Sequence, residues 1–126
     1  MNYIVTGGAG FIGKNLLHEL LEDPEDNVCV VDNFISSDKD VFYREFHERR
    51  NLHLLEADIT EGSFLPYLKN FVDDNMGGHV DRVFHLACPA SPPAYQANPI
   101  HTMTTSVLGT KNILEFATWK NCRILF

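Results

Sequence analysis

Short apolar runs alternate along this chain with stretches whose apolar residues recur every three or four positions. Tyr3-Ile4-Val5-Thr6 predicts a first strand over residues 2–6. From Phe11 onward, Phe11, Ile12, Leu16, Leu17, Leu20 and Leu21 follow helical spacing. They predict one buried stripe, with Lys14, His18, Glu19 and Glu22 facing water. The acidic segment Glu22-Asp23-Pro24-Glu25-Asp26 stops that helix. Val28-Cys29-Val30-Val31 is continuously apolar up to Asp32, as expected of a strand covered on both faces. In the charged segment Ser36–Arg50, Val41, Phe42, Tyr43 and Phe46 predict one side of a short helix. Leu52–Asp58 reads as a third strand. Phe64, Leu65, Leu68, Phe71 and Val72 form a helical stripe, with Asn75-Met76-Gly77-Gly78 as its stop signal. Arg82–Leu86 is a fourth strand, followed by a proline-rich loop, Cys88–Pro93. A long helix is predicted from about Pro99 to Lys120, and Cys122–Phe126 begins a fifth strand.

Strand and helix patterns in strict alternation predict an α/β fold, a parallel sheet with crossover helices on both faces. Right-handed crossovers lead to a Rossmann-type sheet of order 3-2-1-4-5, in one domain spanning residues 1–126. Ligands of such sheets bind at the carboxyl ends of the central strands. Those ends carry Gly7–Gly13, Asp32-Asn33 and Ala87-Cys88.

The first of these segments has the spacing G-x-x-G-x-x-G, between a strand and an amphipathic helix. Gly7 is expected to turn the chain out of the strand, and Gly10 to let a pyrophosphate approach backbone amides. Gly13 is expected to let the helix pack closely on the sheet. Asp32 lies nineteen residues after Gly13, placed to accept hydrogen bonds from the adenosine ribose and to repel a 2′-phosphate. NAD is therefore the expected cofactor. Asp58, at the end of the third strand, suits either an adenine amino contact or a solvated strand end.

Composition narrows the class of partner. The chain has 126 residues, 44% of them hydrophobic, 21% charged, and a formal net charge of −7. That balance argues against nucleic-acid or anionic-membrane partners, which need clustered Lys and Arg. No run approaches the roughly 20 apolar residues of a membrane span. Cys29, Cys88 and Cys122 are odd in number and lack C-x-x-C spacing. They read as reduced thiols, and with the first strand starting at residue 2 the expected location is cytoplasmic. No metal is expected, since the six histidines show no ligand spacing. His85 reads as a satisfied core or strand-end histidine, and Cys88 as a packing residue lacking a neighbouring base. Thr104, Thr105, Ser106 and Thr110 suit either a hydroxyl-bearing face toward the cofactor or ordinary helix-surface polarity.

Thr6–Gly13, Val31-Asp32-Asn33-Phe34, His85-Leu86-Ala87 and Gly109-Thr110-Lys111-Asn112 resemble the extended short-chain dehydrogenase/reductases that act on nucleotide sugars, the NAD-dependent epimerase/dehydratase family. Asp32-Asn33-Phe34 together with Ala87-Cys88-Pro89-Ala90-Ser91-Pro92 and Asn98-Pro99-Ile100 most resemble its UDP-glucuronate decarboxylase branch. The resemblance implies a lyase that converts UDP-glucuronate to UDP-xylose and CO2 through a 4-keto sugar acid, in a homodimeric full-length enzyme. It further implies that Gly7, Gly10, Phe11 and Ile12 hold the pyrophosphate, with Asp32 and Asn33 at the ribose. Asp58 and Ile59 would flank adenine. Leu86, Ala87 and Cys88 would line the cofactor path, and Thr105 would approach the nicotinamide half. Alternatives are another nucleotide-sugar epimerase or 4,6-dehydratase, or a non-catalytic NAD-binding module.

Several positions depart from the family pattern. Ser37-Asp38 replace a Gly-Arg/Lys pair, Thr104 and Ser106 replace a Lys and an Asn, and Thr118-Trp119 replace basic residues. Proton transfer in the family uses a Tyr-x-x-x-Lys pair. Tyr3, Tyr43, Tyr67 and Tyr95 are followed four positions later by Gly7, His47, Phe71 and Pro99. No catalytic residue is therefore assigned. The chain is expected to be an N-terminal fragment without the substrate-binding region, inactive by itself.

Overall fold

A computed structural model describes residues 1–126, the side chain of Ala94 excepted. Five strands, β1 (Asn2–Thr6), β2 (Asn27–Asp32), β3 (Leu52–Glu56), β4 (Arg82–His85) and β5 (Arg123–Leu125), form one sheet of order β3-β2-β1-β4-β5. Every pairing is parallel. Ile4 lies opposite Cys29 in β2 and Val83 in β4, so the central strands run in step. This is the Rossmann-type order expected from the connection rules.

Alternation of side chains along a strand divides the core into two layers. On one face Ile4, Cys29, Val31, Leu55 and Val83 meet Phe64, Leu68 and Val72 of α3 (Phe64–Met76) and Ile113 and Phe116 of α6 (Thr110–Lys120). On the other, Tyr3, Val5, Val28 and Val30 meet Leu17 and Leu21, in and just after α1 (Phe11–Leu20), and Phe42 and Phe46 of α2 (Lys39–Phe46). The unbroken apolar run of β2 reflects this double coverage. Asp38 caps α2, accepting from the Val41 amide at 3.0 Å, and Gly77 ends α3 in the left-handed region at φ 65°. Burial of Cys29 raises its thiol pKa well above the ordinary value.

Two expectations are corrected. Phe11 and Ile12 do not join the buried stripe of α1; they are 84% and 68% exposed. The buried face is centred on Gly13 and Leu17, and at 100° per residue Phe11 and Ile12 lie more than 90° from that centre. A stripe counted on large side chains alone overlooks the glycine. The proline-rich segment is not wholly loop: Pro92–Ala97 forms a short helix, α4, since proline fits a first helical turn whose amides need no partner. The long helix expected from about Pro99 to Lys120 is present without a gap, as α5 (Pro99–Thr104), a π turn (Thr105–Gly109) and α6. Thr102, Thr104 and Ser106 hydroxyls donate to the carbonyls of Asn98, Ile100 and Thr102 at 3.0, 2.8 and 2.8 Å. That back-bonding competes with the backbone ladder just where it widens. No described helix is long and apolar enough to cross a membrane.

Leu17 is fully buried between α1 and the sheet. Leu17→Ala should lower unfolding free energy by about 2–5 kcal/mol. The expected result is a lower urea midpoint with an unchanged slope.

Candidate functional site

The turn between β1 and α1 is held by its neighbours on two strands. Gly7 sits at φ +71°, and its amide donates to Val31 O of β2 at 2.8 Å. A Cβ on Gly7 would stand 2.8 Å from the backbone of Leu86 and Ala87. A Cβ on Gly8 would meet Val30 Cγ1 at 2.7 Å, and one on Gly13 would meet Gly7 O at 2.5 Å. Gly13 thus packs against the turn itself rather than against the sheet. Gly10 is different, because its nearest obstacle is Gly7 O at 3.3 Å and the remaining space is open.

Asp32 closes the turn from the next strand. One carboxylate oxygen accepts from the Ala9 amide at 2.9 Å, the other from the Phe34 amide at 2.8 Å. Phe34 is a non-glycine residue at φ 54°, a conformation costing roughly 1–2 kcal/mol. The Asp32 bond and an edge contact with Phe42, with ring centroids 5.8 Å apart, hold it there.

Asn33 reaches Asp58 at 3.5 Å, and Asp58 accepts from the amide and hydroxyl of Thr60 at 2.9 and 2.7 Å. Partial burial would raise the Asp58 pKa. The Thr60 and Asn33 hydrogen bonds, together with the charge of His101, outweigh it and hold the carboxyl below its usual range.

At the end of β4, His85 bridges two hydroxyls, Thr6 Oγ1 at 2.6 Å and Thr110 Oγ1 at 3.0 Å. Thr6 Oγ1 also accepts from the Ala87 amide at 3.2 Å. His85 is therefore a satisfied core histidine, linking β1, β4 and α6. Cys88 is exposed, with Sγ 3.2 Å from Ser106 Oγ, so the packing role expected of it does not hold.

These segments line a cleft of about 100 Å³ that opens to solvent. Gly7, Gly10, Asp32, Asn33, Asp58, Ile59, Leu86, Ala87, Cys88 and Thr105 all line it. Phe11, Ile12 and Gly13 do not. The first two extend into solvent, leaving only their backbone at the helix start, and Gly13 is covered by the turn. Ile35, Ser36 and His101 also line the cleft and were not singled out from the sequence. His101 lies four residues before Thr105, so helical phase from Thr105 is the sequence signal that would have indicated its place in the cleft.

Two of the lining atoms, His101 Nε2 and Thr105 Oγ1, are buried without a hydrogen-bond partner among the described residues. An open glycine, a carboxylate at the neighbouring strand tip and two unpaired polar atoms suit a polar, elongated ligand such as an adenine dinucleotide.

The profile of the NAD dependent epimerase/dehydratase family matches residues 3–126. UDP-glucuronic acid decarboxylase 6 of Arabidopsis thaliana is 38% identical over 125 residues, covering 99% of this chain and 32% of its own length. The chain spans about a third of the length of that relative. Among solved structures, Pal from Bacillus thuringiensis superposes with a TM-score of 0.83 at 27% identity, over 98% of this chain and 37% of that one. UDP-glucose-4-epimerase from Stenotrophomonas maltophila, with bound NAD and formylated UDP-arabinopyranose, gives a TM-score of 0.77 at 26% identity, over 97% and 34%.

Burial lowers the His85 pKa below the ordinary 6.5. A histidine kept neutral by folding stabilises fully above pH 6.5, and that contribution is lost as pH falls from there through the lower folded value. Urea midpoints should therefore drop between pH 7.5 and 5.5, about one unit either side of the ordinary histidine value. His85→Gln should show a shallower drop, the remainder reflecting groups such as His53, whose pKa burial also lowers.

Proposed function

The chain belongs to the NAD-dependent epimerase/dehydratase family, and on that premise we propose that it forms the cofactor-holding part of a UDP-glucuronate decarboxylase. The observation that carries the reading is the convergence of the Gly7–Gly10 turn, Asp32 and the Leu86–Cys88 segment on one cleft. The amides of Gly7, Ala9 and Gly10 are committed within the chain, so those of Phe11 and Ile12 in the first turn of α1 receive the pyrophosphate, where Gly10 leaves room for it. The lone pairs of Asp32 not committed to Ala9 and Phe34 accept from the adenosine ribose, and its charge opposes a 2′-phosphate. Asn33 supports that edge, while Asp58 and Ile59 border the adenine. Leu86, Ala87, Cys88 and Thr105 line the path toward the nicotinamide. NAD supplies reversible oxidation of the sugar C4, which makes the neighbouring carboxylate easy to lose as CO2.

The decarboxylase assignment within the family is supported by the relatives at 38% identity and by the segment Cys88-Pro89-Ala90-Ser91-Pro92. The alternative of an epimerase or dehydratase is supported by the likeness to the UDP-glucose-4-epimerase. Product identity separates them, UDP-xylose and CO2 for the first and an epimerised or dehydrated UDP-sugar for the second. A homodimer is part of the same proposal, supported by exposed Ile100, Met103, Val107 and Leu114 along α5–α6. So is a cytoplasmic location, supported by three unbridged cysteines.

Gly10→Val tests the site directly. The new Cβ meets Gly7 O in a tight contact at 3.3 Å and otherwise fills the space left for the pyrophosphate, so calorimetry on a variant that still unfolds cooperatively should show NAD affinity reduced roughly 100-fold or more. Equal affinity in the variant would overturn the reading. Asp32→Asn removes the charge together with one of the two amide hydrogen bonds that Asp32 accepts, and the preference for NAD over NADP should narrow by roughly tenfold. An unaltered preference would remove Asp32 from the ribose.

A further inference from the structure

We propose that His101 is a contact for the adenosine half of the dinucleotide, its Nε2 pairing with a polar atom of that half beside Asp58. The inference rests on the cofactor reading above and adds a residue that neither the glycine turn nor the strand-end acids indicate.

The first support is the pair of unpartnered atoms. His101 Nε2 and Thr105 Oγ1 are both buried, and both residues line the same cleft. They stand four positions apart where α5 runs into the π turn, so they share one helix face. A buried polar atom left unpaired is destabilising, and native structures keep few of them. Two on one face of one cleft point to a partner that arrives from outside the chain.

The second support is the seating of that helix over the end of β3. A Cβ on Gly109 would lie 2.5 Å from Ile59 Cδ1, so the helix runs flush against the Ile59 side chain. Asn112 Nδ2 donates to Ile59 O at 2.7 Å in a buried contact. At the other end, Asn98 Oδ1 accepts from the His101 amide at 3.2 Å and fixes the first turn. His101, Asp58 and Ile59 all line the same cleft. His101 and the Asp58-Ile59 pair thus border the same part of the cleft, the part assigned to the adenosine.

His101→Phe keeps a ring and removes both nitrogens, whereas His101→Gln restores a polar group of similar reach. Calorimetry with NAD and with ADP-ribose should show His101→Phe weakening both by the same factor, roughly three- to tenfold. His101→Gln should recover part of that loss. The urea midpoint of ligand-free His101→Phe should equal or exceed that of the unaltered protein, because an unpaired buried nitrogen has been removed. A residue serving only to pack the fold would move both readouts downward together. The inference is overturned if the unaltered protein binds NAD and His101→Phe binds NAD and ADP-ribose equally well. It is overturned too if the loss is confined to NAD, which would put the imidazole at the nicotinamide end. Failure of the unaltered protein to bind either ligand would overturn the cofactor reading itself, and this inference with it.

Discussion

Both oxygens of Asp32 are occupied by backbone amides, one from the glycine turn and one from Phe34. This ties the end of β2 to the bend that follows β1, and the cleft exists because those two features are held at a fixed separation. The carboxylate makes charge-assisted hydrogen bonds, roughly twice as strong as neutral ones, and they restrain two conformations that the backbone would not favour alone. One is the bend at Gly7; the other is the left-handed Phe34. A residue read from sequence as a ligand contact is thus a structural clamp, and the lone pairs it leaves uncommitted are oriented by that clamp.

The sheet beneath supplies rigidity. Its central strands are covered on both faces, by α1 and α2 on one side and α3 and α6 on the other. The cleft lies where this coverage stops, at the carboxyl ends of the strands. His85 reinforces that boundary by joining hydroxyls of β1 and α6 through its two ring nitrogens. The site is therefore built from short segments anchored on rigid strands, an arrangement that suits a ligand needing several contacts in fixed register.

The legibility of the chain differed from residue to residue for physical reasons. Strands were readable because double coverage leaves continuous apolar runs such as Val28–Val31. The strand order was favoured by connection handedness. Phe11 and Ile12 misled because hydrophobicity reports what a residue tolerates, whereas Gly13 takes the buried position through its smallness. The π turn within the long helix was invisible to periodicity, since threonine and serine hydroxyls act on the ladder through hydrogen bonds rather than through apolar pattern. His101 was missed for a related reason: nothing marks a histidine as unpartnered until its surroundings are known.

What the sequence determined by itself was the alternation of elements, the glycine bend and the acid that answers it, because each depends on local spacing; the connection rules favoured the sheet order without fixing it. Tertiary structure alone decided which of those residues face one cleft, that Gly8 and Gly13 are pinned against Val30 and Gly7, and that Asp32 is a clamp. It also decided that His101 and Thr105 present unpaired atoms side by side. Those properties depend on distances between segments far apart in the chain, and such distances are set only when the two core layers close on the sheet.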